Sequence, residues 1–137
     1  EQLAKEFDIK GKSFCLLRSA IAPNELETKL HEFGAHTEIV PVYTVNPKYH
    51  TSVYCEEISN QIQNNQIHWL TFTSSSTVRY FFEQIPAETV KNSKIKIASI
   101  GPYTTKEIEQ MGLSVTIEAR IHTTNYMVHA IRKHCNS

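Results

Sequence analysis

Five short apolar runs, each separated from the next by a stretch with helical spacing, set the architecture open to this chain. The runs are Ser13 to Leu17, Glu38 to Val45, Ile67 to Thr73, Ile95 to Ile100 and Val115 to Ala119. They are short and mostly rich in β-branched or aromatic residues, as buried strands are. Between the first two, Leu26, Leu30 and Phe33 recur at i, i+4 and i+7 on one helical face. Pro23 suits the first turn of that helix and Gly34 its C-cap. Further helices are expected over Val53 to Ile62, around Val78, Phe81, Phe82 and Ile85, over Thr104 to Met111 with Gly112 as its stop, and over Asn125 to His134. A short opening helix carries Leu3, Ala4 and Phe7 and is broken by Asp8 to Gly11. Pro41 inside the second run demands an edge, a bulge or a strand start. The alternation predicts an α/β fold, a parallel sheet flanked by helices. Five strands with helices between them fit a flavodoxin-like layer sandwich, although the pattern leaves the strand order open.

The 137 residues suit one compact domain over 1–137. Fourteen Lys and Arg balance fourteen Asp and Glu, so no basic excess points to a nucleic-acid backbone. Cys15, Cys55 and Cys135 are widely spaced, odd in number and without a C-x-x-C pair. That gives neither a disulfide framework nor a zinc signature, and it points to a reducing, cytoplasmic compartment. Cys15, within an apolar run, is expected to be a buried small residue. No stretch is long and apolar enough to span a membrane. The charged start, Glu1 to Phe7, is unlike a signal peptide and lacks an initiator Met, which suggests a fragment.

In parallel sheets, ligands bind beyond the carboxyl ends of the strands. Three segments fall there: Arg18-Ser19, Thr73-Ser-Ser-Ser76, and Ile100-Gly-Pro-Tyr-Thr104. The last two lead into helices, whose first turns present free N–H groups and a partial positive charge to an anion. Each has a plainer explanation. A Ser before a helix is commonly an N-cap worth about 1 kcal/mol, Gly101-Pro102 a turn, Arg18 a surface charge, and Tyr43 a packed ring with a solvated hydroxyl. Dinucleotide, P-loop, zinc-protease and nucleophile-elbow motifs are absent. His31, His36, His50 and His68 fall on different elements. His129 and His134, five residues apart, point about 140° from each other around one helix. Neither set predicts a metal site.

Read in order, these segments become specific. A strand ends in Arg18, and a helix closes in Phe33-Gly34-Ala35. The next strand reads Val40-Pro-Val-Tyr43, followed by Thr71-Phe-Thr-Ser-Ser75, then Ile100-Gly-Pro-Tyr-Thr104 and Met111-Gly-Leu113. Over residues 12 to 134 this resembles the C-terminal half of the uroporphyrinogen-III synthase family. Ser19 stands where the family has Gly, and Thr105 where it has Ala.

The resemblance implies a two-lobed enzyme of about twice this length that cyclises the linear tetrapyrrole hydroxymethylbilane to uroporphyrinogen III. Water is lost and the last pyrrole ring is inverted, with no cofactor or metal. It implies Tyr43 as the residue assisting departure of the hydroxyl. Arg18, Ser74, Ser75, Gly101 and Thr104 would hold the substrate's carboxylates. In the family the chain crosses between lobes after the strand carrying that tyrosine, which matches 44–48 here. Residues 12 to 45 would then fold back onto the remainder as one compact domain, the arrangement expected here, or exchange with a second copy as a domain-swapped homodimer; a missing N-terminal half is the other implied partner. Two other readings stand beside this one. One is a non-catalytic flavodoxin-like module that uses the same helix starts for a small anion or a protein partner. The other is a signalling receiver, which lacks its acidic cluster after Leu17 or Thr73.

Overall fold

The computed structural model describes residues 8–44 and 49–136. The opening helix expected around Leu3 to Phe7 and the crossover residues Val45 to Lys48 lie outside them. The chain divides into two compact units, Glu1–Pro47 and Lys48–Ser137.

The first unit is a β-α-β arrangement: β1 (Ser13–Ser19), α1 (Glu25–Glu32) and β2 (His36–Tyr43). The strands pair in parallel from Ser13 opposite His36 to Arg18 opposite Pro41, and then the register slips so that Ser19 faces Tyr43. The extra residue beside Pro41 is the irregularity that a strand proline requires. Helix α1 ends in a Schellman motif. The Gly34 N–H donates to the His31 carbonyl at 2.9 Å and the Ala35 N–H to that of Leu30 at 3.0 Å. Gly34 holds φ at +75°, a conformation that favours glycine. Leu30 and Ala35 pack with Ile9, Phe14 and Leu16. Burial alternates along β1, so Cys15 and Leu17 are exposed. Cys15 therefore departs from the expected burial: α1 covers one face of this two-stranded sheet, and Cys15 points to the other. Leu26 and Phe33 are likewise exposed, and Leu30 alone of the expected helical face is buried.

The second unit runs α2 (Ser52–Gln63), β3 (Trp69–Phe72), α3 (Ser75–Phe82), α4 (Ala87–Lys91), β4 (Lys96–Ser99), α5 (Pro102–Gln110), β5 (Ile117–Glu118) and α6 (Thr124–Cys135). Its strands are parallel in the order β3-β4-β5. Both faces of the sheet are buried, as parallel sheets require. Ile62, Phe72, Val78, Ile97 and Ile108 form the core on one side. Ala98, Ala119 and Met127, with Trp69 and Ile131 against them, form the other. Each fully buried Ile or Val contributes roughly 1.5–3 kcal/mol. At the entrance to the unit, the Tyr49 hydroxyl donates to Glu83 Oε2 at 2.9 Å and the His50 N–H to Gln84 Oε1 at 2.8 Å. The Glu83 bond holds the Tyr49 phenol above its ordinary pKa.

The α/β class is as expected, with parallel strands and helical crossovers. The single five-stranded sheet is not. Among the described residues β1 and β2 pair with each other, and β3 to β5 form a separate sheet. Each set of strands is joined by its own local crossovers, so each closes its ladder without the other. No helix among the described residues is long and apolar enough to cross a membrane.

Candidate functional site: the strand ends

Parallel strands place all their carboxyl ends on one side of a sheet, so the loops that follow β3, β4 and β5 converge. The pairing of Phe72 with Ser99 and of Ser99 with Glu118 fixes the three ends side by side. Helices α3 and α5 both start from this edge, and Arg79 of α3 pairs with Glu107 of α5 at 2.9 Å. Their N-terminal N–H groups are therefore presented at one end of the unit.

Ser74 is the N-cap of α3, extended at φ −163°. Its Oγ accepts the Thr77 N–H at 3.2 Å and lies 3.0 Å from Ser76 Oγ. The hydroxyl thus performs the capping role that its position before a helix predicts, and in doing so it fixes the start of α3 around Ser75, which is half-buried. Gly101 caps α5 with extended backbone, and Pro102 follows at the first helical position. Gly101 is buried beneath the His122 ring: a Cβ there would meet His122 Cδ2 at 2.8 Å. Thr104 lies one turn in and is 3% exposed, so its side chain belongs to the interior.

Arg18 and Tyr43 lie in the first unit, at the carboxyl ends of β1 and β2. The Arg18 guanidinium donates to the carbonyls of Pro23 (3.0 Å) and Ala22 and to Asn24 Oδ1 (2.7 Å). It knits the loop that enters α1. Tyr43 is 60% exposed, and its carbonyl accepts the Ala20 N–H at 3.0 Å. The six expected residues thus fall into two groups, Arg18 with Tyr43 in one unit and Ser74, Ser75, Gly101 and Thr104 in the other.

Four further residues stand at the second group's edge; from the sequence Thr105 was noted only as a departure from the family pattern, and the other three were not singled out. Thr105 Oγ1 bonds both the fully buried Ser99 Oγ at 2.6 Å and Glu118 Oε2 at 2.5 Å. His122 covers Gly101. They lie on separate segments, and only the parallel register brings them together. Among the described residues, no group of three or more His, Cys, Asp or Glu side chains is arranged to hold a metal ion.

The profile of the family described as Uroporphyrinogen-III synthase HemD matches residues 1–129. The uroporphyrinogen-III synthase of Chlorobaculum parvum is 29% identical over 110 residues, which are 80% of this chain and 44% of that protein. The crystal structure of uroporphyrinogen-III synthetase from Helicobacter pylori superposes with a TM-score of 0.66 at 20% identity, over 92% of this chain and 55% of that one. A mutant uroporphyrinogen III synthase from the extremely thermophilic bacterium Thermus thermophilus gives 0.62 at 14% identity, over 98% and 54%. The chain thus spans about half the length of the relatives it matches. With a family profile covering nearly all of the sequence, and the fold of two solved synthases reproduced along it, the chain belongs to the uroporphyrinogen-III synthase family.

Proposed function

We propose that this chain supplies half of an enzyme that cyclises hydroxymethylbilane to uroporphyrinogen III, with loss of water and inversion of the last pyrrole ring, in tetrapyrrole (heme) biosynthesis. The observation that carries the proposal is the family match over residues 1–129. The substrate is a polycarboxylate, and the chain has no net charge with which to hold one. Helix starts supply what is needed instead. The N-termini of α3 and α5 offer N–H donors and positive dipole ends from adjacent strands. Ser74 and Ser75 would receive carboxylates at the first, and Gly101 and Thr104 at the second. With Thr104 buried, that second contact runs through the backbone of the turn.

Tyr43 is exposed at a strand end, with its hydroxyl available to donate a hydrogen bond to the departing hydroxyl of the substrate. Arg18 is engaged by its own loop, and its contribution is to shape the end of β1. Because the substrate also cyclises unaided to the wrong isomer, the enzyme's task is mostly to hold one folded conformation. We place the reaction in the cytoplasm, in keeping with three free cysteines.

We further propose that a second copy of this chain completes each lobe through its residues 12 to 45. The exposed Leu17 and Val42 of the small sheet support this. So does an apolar hollow of about 310 Å³ along β3, lined by Tyr54, Cys55, Ile58, Leu70 and Phe81. A solution mass of two chains is expected. A mass of one would assign that role to the other half of the relatives' length.

The activity is tested by supplying freshly made hydroxymethylbilane and separating the isomers by chromatography. Uroporphyrinogen III above the no-protein background supports the proposal. Only the spontaneous type I isomer, both from this chain and from the native protein that carries it, overturns it.

A further inference from the structure

Thr105 is tied in three directions. Its N–H donates to the Gly101 carbonyl at 3.0 Å, the first bond of α5. Its Oγ1 lies 2.5 Å from Glu118 Oε2 and 2.6 Å from Ser99 Oγ. A threonine hydroxyl has one proton, and an ionised carboxylate can only accept. Thr105 therefore donates to Glu118, and Ser99 donates to Thr105. The order Ser99 to Thr105 to Glu118 joins β4, α5 and β5 through a single side chain. Among the described residues the chain of hydroxyls ends at the fully buried Ser99. Its effect is geometric.

We infer that Thr105 is a positioning residue for the substrate: by clamping the first turn of α5 to the ends of β4 and β5, it sets the Gly101–Thr104 turn that receives a carboxylate. The inference rests on the reading of this edge as the substrate site. A hydrogen bond to a charged group is among the stronger kinds, and Glu118 is exposed, so the tie holds the turn while one end stays in water. Thr105 acts through the backbone it holds, not by touching the reacting atoms.

The test uses the native protein that carries this chain, with Thr105→Val and Thr105→Ser. Two quantities are read: KM and kcat for the type III isomer, and amide hydrogen exchange at Thr105, whose N–H closes the turn. Thr105→Val is expected to raise KM about tenfold with kcat nearly constant and to speed exchange in the first turn of α5. Thr105→Ser is expected to restore both. If Thr105→Val fails to fold, Glu118→Ala removes the same tie from an exposed position, and the same two changes are expected. Unchanged exchange and unchanged KM overturn the inference, as does Thr105→Ser behaving like Thr105→Val. A wild-type protein that forms no type III isomer overturns the proposed function instead, and faster exchange in Thr105→Val would then leave Thr105 as a structural clamp on α5 alone.

Discussion

The His122 imidazole occupies the space that a side chain at residue 101 would need, with its Cδ2 2.8 Å from where a Gly101 Cβ would stand. Gly101 has extended backbone, at φ 168°, which any residue adopts. The need for glycine is therefore steric and is imposed by a residue 21 positions later in the sequence. Gly101→Ala is expected to cost about 1 kcal/mol, the low end of overpacking, because the exposed His122 ring can swing aside. His122→Ala in the same chain should recover most of that loss. A double-mutant cycle in denaturant checks the coupling; strict additivity would remove the contact from the account.

Ser74 offers a way to separate capping from substrate binding. Ser74→Ala should lower stability by about 1 kcal/mol through loss of the bond to the Thr77 N–H. Ser74→Asp keeps a good cap and complements the helix dipole, so its stability should match the parent. Its negative charge would nonetheless repel a substrate carboxylate, and KM should rise severalfold. Thermal melts set beside steady-state kinetics distinguish the two effects. Parent-like KM in Ser74→Asp would leave Ser74 as a cap alone.

Tyr43 is exposed and its side chain contributes little to packing, so Tyr43→Phe should change stability by less than about 0.5 kcal/mol. In the native protein it should slow type III formation more than Thr104→Ala does. Isomer-resolved initial rates are the measurement. Equal rates for Tyr43→Phe and the parent would end the role assigned to its hydroxyl.

Tyr49 should titrate above the ordinary tyrosine value, because its hydrogen bond to Glu83 favours the protonated phenol. The folded pKa exceeds the unfolded one, so the bond's contribution to stability is complete below the unfolded value. It is lost as pH rises through the folded one. A difference titration of tyrosinate absorbance between the parent and Tyr49→Phe should show the late phase. Glu83→Gln should move it down. A Tyr49 that ionises at the ordinary tyrosine value would show that the bond is not held in solution.

Much of the fold was legible because burial on parallel strands leaves a strong mark on composition. The IHWLTFT and IKIASI runs both contain strands of the sheet. Elements whose marks are weak were misread or missed. Helix α4 has five residues after Pro86, too few to display a period. Strand β2 begins at His36, because pairing with Ser13 recruits polar residues that hydrophobicity does not flag. Strand β5 shrinks to Ile117–Glu118. The candidate site was legible where it coincides with local signals, namely Ser74 before α3 and Gly101-Pro102 before α5. Ser99, Glu118 and His122 gave no local signal, and Thr105 only a departure from the family pattern, since their meeting depends on strand register. The loop contacts of Arg18 were hidden for the same reason: its acceptors at Ala22, Pro23 and Asn24 exist only once the loop has turned back.

The division into two units, each with its own apolar cluster, governs how the stability of this chain should be measured. Among the described residues, the smaller unit buries three hydrophobic side chains, Ile9, Leu30 and Ala35, while the larger one buries two clusters around its sheet. Cooperativity comes from burial shared among side chains, and the cluster around Leu30 has fewer of them to share it than the clusters of the larger unit. Unfolding should therefore be followed with a separate probe in each unit. Amide exchange should report opening of β1 and β2 at a lower free energy than that of β3 and β4. A substitution in the small unit can then leave the main transition untouched while it empties the native population of Tyr43.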